Sequence, residues 1–498
     1  MNVNPITRLD YPDPDVIRVE DTYYMVSTTM HFMPGCEILQ SFDLVHWEHA
    51  TYVYETLDHT DAQQLKSGQN IYGQGMWAAS LRYHEGRFYI CFVANDTRKT
   101  YLYTSEKIDG PWKKQLIEGF YHDGSLLFDE DGRNYIVYGN DEIWITELNE
   151  DLTAPKKDGL HRLLVSDHKN PKLGYEGSHI QKINGYYYIF LIHSLRDRWM
   201  RTEACFYSDS LEGEFTGGDV LCDDRGYCGQ GVAQGGIVDT PDGKWYAMLF
   251  QDSGAVGRLP ILLPVTWKDH FPVFGQNGHV PEEIEVHSTR PGYIYQPLVG
   301  SDDFCNGLLP RWQFNHDPDP RYYHLDALQG TYTITTREVC TELTQAVNTL
   351  TQRMSYPSCA AEVTVDASAL KEGDVAGLCA FQGCYAAVGI TKHHGKYEVL
   401  MLDKKEDGIL DMTEGTVVES HQMDFRLEAD FCNMKDEARC YYRVNKGDWL
   451  PIGTVHKLYF KLDHFTGCRF GLFCYAAEET GGSACFRDFK YYDIDEIS

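Results

Sequence analysis

One pentapeptide recurs five times in the first half of this 498-residue chain and limits what that half can become. Its copies are Glu-Asp-Thr-Tyr-Tyr24, Glu-Gly-Arg-Phe-Tyr89, Asp-Gly-Arg-Asn-Tyr135, Asn-Gly-Tyr-Tyr-Tyr188 and Asp-Gly-Lys-Trp-Tyr246. Each is a turn signal that runs into an apolar, β-rich stretch: MVST, ICFV, IVYG, IFLI and AMLF. The closing tyrosines lie 65, 46, 53 and 58 residues apart. Five spaced copies of one hairpin predict five blades of a β-propeller, an all-β fold. Ordinary β meanders with common turn residues are the alternative, and matched spacing in five copies argues against them.

In a propeller the strand before this hairpin is the innermost one, so its equivalent positions converge on the central channel. Eleven residues before Tyr24 stands Asp13, and twelve before the other four tyrosines stand Trp77, Asp123, Glu176 and Gln234. Three blades therefore aim carboxyl groups at one pocket. Glycoside hydrolysis needs one carboxylic acid to protonate the leaving oxygen and a second carboxylate as base or nucleophile. The acid must stay protonated near neutral pH, so burial or a nearby negative charge has to raise its pKa; a third carboxylate can supply that charge. Asp13 alone, in a Pro-Asp-Pro-Asp turn, would more simply be structural. Sharing its position with Asp123 and Glu176 makes it a catalytic candidate.

Seventy-four acidic residues against 44 basic give a formal charge of −30. Such a field repels nucleic acid and anionic membranes and suits a neutral ligand. The 34 tyrosines fit an all-β protein and stacking on sugar faces. No apolar run approaches the length of a membrane span. Fifteen cysteines without C-x-x-C spacing, and residues 1–10 without a basic and then apolar segment, lead to the expectation of a cytoplasmic protein with reduced, largely buried thiols. Cys222 and Cys228 are open to a zinc reading, but buried free thiols are the simpler account.

The chain is too long for one compact core, and two domains are expected, a propeller over 1–300 and a β-sandwich over 301–498. Residues 41–47, 105–112 and 208–215 each run from a serine to an aromatic residue and are expected to be outer blade strands, a pattern that 146–153 keeps loosely. The polar insertion 51–74 is expected to wall the pocket. Residues 279–300 carry three prolines and look like a connector. Beyond it, alternating runs at 331–339, 359–367, 376–391, 396–402, 425–431, 437–444, 469–477 and 486–492 predict a two-sheet sandwich. That domain could bind sugar, form an oligomer surface or act as a lid.

Asn4-Pro5-Ile6, the run Tyr11-Pro-Asp-Pro-Asp-Val-Ile-Arg18, residues 28–35 (TTMHFMPG) and Asp43-Leu-Val-His-Trp47 resemble the opening of glycoside hydrolase family 43. His122-Asp-Gly-Ser125, Tyr175-Glu-Gly-Ser-His179, residues 235–246, Gly257-Arg258 and Pro264-Val-Thr-Trp267 extend the resemblance. From Ser301 onward, with Asn348-Thr-Leu-Thr-Gln352 and Ala380-Phe-Gln-Gly383, the chain resembles the concanavalin-like sandwich of the family's β-xylosidase-like members.

The resemblance implies a five-bladed propeller and inverting, exo-acting release of xylose or arabinose from xylo- and arabinoxylo-oligosaccharides. It puts Asp13 on the general base, Glu176 on the general acid, and Asp123 on the carboxylate that orients the acid and raises its pKa. Arg258 matches an arginine that binds substrate hydroxyls, and Trp77 a tryptophan lining the sugar pocket. Met30, His31 and Phe32 either line that pocket or fill a blade. Two departures stand out: Trp77-Ala-Ala-Ser80 where the family often has Trp-Ala-Pro-Asp, and Gln234 where many members carry a histidine associated with a central cation. No cofactor is expected to be required, but a glutamine carbonyl can ligate calcium, so a channel calcium stays open. Two other functions remain, a non-catalytic sugar-binding propeller and a retaining fructoside-type hydrolase. The first needs no acids at three equivalent positions; the second would hold its carboxyl groups ~5–5.5 Å apart instead of ~6.5–9.5 Å. A homo-oligomer is also open.

Overall fold

Each pentapeptide closes a β-hairpin. In the computed structural model, which describes residues 3–494, Tyr24 pairs with Ile17, Tyr89 with Arg82, Tyr135 with Leu127, Tyr188 with Gln181 and Tyr246 with Val238. These hairpins begin five four-stranded antiparallel sheets that follow one another along the chain. They are the five blades. Their inner strands are Asp15–Val19, Met76–His84, Ser125–Phe128, Glu176–Ile183 and Ile237–Asp239.

The ring closes through the N-terminal segment. In blade five the outer strand Phe271–Phe274 pairs only with residues 265–268 of the third strand, Arg258–Lys268. The uncovered half is taken by residues 4–11: Ile6 N donates to Pro260 O (2.8 Å), Tyr11 N to Arg258 O (3.1 Å), and the Asn4 side chain bonds both ways with Leu262. The Asn4-Pro5-Ile6 motif thus seals the first blade to the last.

The expected outer strands are corrected. Residues 41–47, 105–112 and 208–215 form the turns leading into the outer strands Glu48–Tyr54, Lys113–Ile117 and Thr216–Leu221. Their serines cap those turns: Ser41 Oγ accepts from Asp43 N and Leu44 N, Ser105 Oγ from Lys107 N, and Ser208 Oγ from Ser210 N. A serine that bonds the backbone two residues on favours a turn over a strand.

Residues beyond 301 build two facing sheets around one apolar core that includes Trp312, Leu350, Val363, Leu378, Phe425, Phe470 and Phe486. The run at 376–391 is two strands, Val375–Phe381 and Ala386–His393, turning at 382–385. One sheet crosses the domain boundary: Phe32–Met33 of blade one pairs with Gln313–Asn315. Beside this seam the Arg353 guanidinium lies 2.9 Å from Glu37 and over the Tyr11 ring, and Arg469 stacks 3.4 Å from the Phe32 ring centroid. Phe32 therefore serves the domain interface, because its ring is covered by Arg469. The insertion 51–74 is also an interdomain clamp rather than chiefly a pocket wall. His59 pairs with Asp317, Ile71 N donates to His316 Nε2, and Tyr72 stacks on His464 at 3.9 Å.

All fifteen cysteines are free, ten of them buried. Cys222 and Cys228 are exposed and belong to no metal-ligating cluster found among the described residues. No helix in the described residues is long and apolar enough to cross a membrane.

Candidate active site

The chain enters each inner strand through a left-handed kink. φ is 52° at Asp13, 29° at Ala78, 48° at Asp123, 65° at Gly177 and 62° at Gln234. Short polar side chains tolerate this region better than bulky ones, which suits aspartate at two of the five kinks. In blades two and four the kink is a bulge, with the register slipping between Trp77 and Ser80 and between Glu176 and His179. Bulges re-aim side chains. Here they bring Trp77 and Glu176 to His122 of blade three, with ring centroids 6.3 Å apart for the tryptophan and a 3.6 Å approach of Nε2 to Glu176 Oε2.

Asp13 is held on both oxygens. Arg258 Nη1 donates to Oδ1 (2.8 Å) and Thr28 Oγ1 to Oδ2 (2.6 Å). Thr28 is itself fixed by Ala78 N, which donates to its hydroxyl at 2.8 Å. Arg258 is 3% exposed, and its Nε and Nη2 have no partner. These buried donors are left for hydroxyl groups of a bound molecule. The indole Nε1 of Trp77 is likewise buried and unpartnered.

Across the pocket three groups share one network. Asp123 Oδ2 accepts from Gly177 N (3.0 Å), Glu176 Oε2 accepts from Asn140 Nδ2 (2.7 Å), and His122 Nε2 lies 3.6 Å from both carboxyl groups. Burial pushes Asp123 up to about 6, with Glu176 and Asp13 adding to the push and His122 opposing it. Asp123 in turn raises His122 to about 9, against the effect of its burial and with help from Glu176. At neutral pH an imidazolium thus stands between the two acids. Ligating atoms of His122, Asp123 and Glu176 fall within 4.8 Å of one another.

The raised value on Asp123 carries a stability consequence. A carboxyl group whose folded pKa exceeds its unfolded 3.8 favours folding below that pH and loses the contribution as pH rises through about 6. Asp123→Asn should therefore gain about 1–3 kcal/mol above pH 6 and converge with the parent below pH ~4. It should also let His122 lose its proton at lower pH, moving the alkaline limb of the pH–rate profile down. Urea unfolding at pH 4 and 8, with the rate profile alongside, checks both.

Gln234 supports the site from below. Its N donates to Glu203 Oε2 (2.7 Å), and its side chain packs on Gly177 so closely that a Cβ there would meet Gln234 Cδ at 2.8 Å. Met30 is 1% exposed and bridges Met76 through its backbone, next to Trp77.

A channel cation is not favoured by what surrounds the axis. The Arg82 guanidinium already takes the oxygen ligands there: Asp15 Oδ2 (2.8 Å), Leu81 O (2.6 Å), Leu126 O (2.8 Å), Ser125 Oγ (2.7 Å) and Ile180 O (3.2 Å), drawn from four blades. Burial works against a charged Asp15, yet Arg82 and His179 together hold it down to about 2. Exhaustive chelation should leave turnover within about twofold of the untreated enzyme, since the side chain does what a hard ion would do. Loss of activity restored by calcium would contradict this.

Three contributors were not singled out in the sequence. His122 and Asn140 flank the acids, and Phe465 comes from the sandwich. Its ring lies 5.4 Å from Trp77 and 4.3 Å from the Arg258 guanidinium, with Phe460 beside it at 5.4 Å. The second domain thus closes one side of the pocket. Asn140 ends the second strand of its blade, five residues past Tyr135, while Arg258 opens the third strand of its own, twelve past Tyr246, so no single offset reaches both. Phe465 carries no local signal.

A family model for glycosyl hydrolases family 43 matches residues 3–272. The chain belongs to glycosyl hydrolase family 43. A second model, the beta-xylosidase C-terminal concanavalin A-like domain, matches residues 301–492. Among family 43 relatives, a beta-xylosidase of Formosa agariphila is 26% identical over 99% of this chain and 89% of that protein. A non-reducing end alpha-L-arabinofuranosidase of Bacteroides ovatus is 24% identical over 82% of this chain and 79% of its own. A solved structure described as a bifunctional GH43-CE of Bacteroides eggerthii superposes with a TM-score of 0.92 at 42% identity and covers 98% of this chain; this chain spans 63% of that one. An engineered family 43 hydrolase displaying both endo-xylanase and exo-arabinofuranosidase activity gives a TM-score of 0.86 at 27% identity, over 98% and 99% of the two chains. This family 43 protein is a glycosidase. Membership sets aside the non-catalytic and fructoside-type readings.

Proposed function

We propose that this glycosidase is an exo-acting, inverting pentosidase that releases xylose or arabinose from the non-reducing ends of neutral xylo- and arabinoxylo-oligosaccharides. The observation that carries the reading is the division of the pocket. On one side Asp13 is oriented by Arg258 and Thr28; on the other, Glu176 and Asp123 share His122. Asp13 takes a proton from water as the water attacks the anomeric carbon, and Glu176 gives its proton to the departing oxygen. Asp123 orients the acid through Gly177 and His122. Free donors on Arg258 and the Trp77 indole bind the sugar. Phe465 closes one side of the site, which suits removal of a terminal unit. The relatives include enzymes named for both pentosides. Fifteen free thiols suit a reducing compartment, so we place the reaction in the cytoplasm. A panel of chromogenic β-xyloside, α-L-arabinofuranoside and sucrose tests the reading. Turnover of a pentoside and none of sucrose is expected; silence on both pentosides overturns it.

A further inference from the structure

The same repeat logic that gathers the carboxyl groups applies one strand further out. Loops joining the second and third strands open on the pocket face, and they deliver Thr28 in blade one, Asn140 in blade three and Arg258 in blade five. Arg258 is the first residue of the third strand of its blade; the first residue of the third strand in blade four is Arg201. The two guanidinium groups share one ring, Phe250, at 5.4 and 5.5 Å from its centroid. Arg201 also pairs with Asp252, the register partner of Arg258. The charges of Arg258, Glu176 and Asp13 all bear on Arg201.

Arg201 leads outward to an aromatic. Its guanidinium lies 5.3 Å from the ring of Trp199, which is 47% exposed. An ion pair pinning blade four to blade five would need no exposed indole beyond it. A sugar ring has an apolar face that stacks on such an indole and hydroxyl groups that a guanidinium can donate to. Because Asp252 balances Arg201, this surface suits a neutral ring. Its place in the reaction follows from the acid. Glu176 belongs to blade four, so the leaving oxygen faces that blade and the departing sugar lies across its upper loop, residues 195–200.

We propose that Trp199 and Arg201 form the subsite for the leaving-group sugar, the ring attached to the pentose being released. The proposal rests on the pentosidase reading. Trp199→Ala, at an exposed position, is the variant to use. It should be compared on a pentosyl disaccharide, whose leaving group reaches Trp199, and on the corresponding pentosyl fluoride, whose leaving group has no ring. The ratio of kcat/KM on the disaccharide to kcat/KM on the fluoride should fall about tenfold, and Trp199→Phe should restore most of it. An unchanged ratio, whether both substrates hold or both decline together, overturns the subsite. Parent enzyme silent on fluoride and disaccharide alike would overturn the pentosidase reading, and the subsite with it.

Discussion

Glu176→Gln should lower kcat on a xylo-oligosaccharide by about 10²–10⁴-fold, the usual worth of a positioned general acid. Glutamine keeps the shape and can still accept from Asn140 Nδ2, so the network survives while the transferable proton is lost. An aryl leaving group with a low pKa departs with little protonation, and on such a substrate the same variant should lose far less. Asp13→Asn should fall heavily on both substrates, because water must be activated whatever leaves. Its neutral amide also forfeits the charge that holds Arg258 at 2.8 Å. The split between the two substrates is the content of the prediction. Equal losses on both by Glu176→Gln would place the acid elsewhere.

Arg353→Met should destabilise the whole protein by about 3–5 kcal/mol, the range for removing one partner of a buried ion pair. Arg353 and Glu37 are 5% and 2% exposed, and one comes from each domain. Arg353 also donates through Nε to Asp10 O, so it ties the sandwich to the segment that carries Asp13. Burial resists a charged Glu37, but Arg353 and then His49 outweigh it and hold its pKa below the usual 4.5. In the parent that contribution is present above pH 4.5 and lost as pH falls through the lowered value. In the variant burial acts with only His49 against it, so the deficit should be largest at neutral pH and shrink in acid. Pairing the change with Glu37→Gln should recover much of the loss, since no unpaired charge then stays buried. Urea unfolding of the three variants at pH 4 and 7 checks this; a single Arg353→Met with parental stability would sink it.

What the sequence displayed best was what repeats. A turn followed by a β-rich run marks each hairpin, and the count back from each closing tyrosine reaches the kinked residue itself in three blades, Asp13, Asp123 and Gln234, and the residue just before the kink in the other two, Trp77 and Glu176. The offset of eleven in blade one and twelve elsewhere is visible because the hairpins keep their lengths. Features set by contacts distant in sequence were hidden. Phe32 reads as a pocket or blade residue until Arg469, more than four hundred positions away, covers it. Phe465 sits in an ordinary loop of the sandwich and meets Arg258 only because the two domains are locked by Arg353 and Tyr72. Arg82 reads as any polar residue of a strand, and only its five partners around the axis show that those oxygens are already engaged by a cationic side chain. A serine followed at fixed spacing by an aromatic suits a strand or a turn alike, and the difference lies in where the hydroxyl bonds.

Proton NMR of the first-formed sugar tests the central claim most directly. A water activated by Asp13 attacks the face opposite Glu176 in a single displacement, so the anomer released must be the opposite of the one cleaved. Spectra taken before mutarotation should show α-xylose from a β-xyloside, or β-arabinose from an α-L-arabinofuranoside. Release of the anomer with retained configuration would contradict the assignment of Asp13 as base and Glu176 as acid.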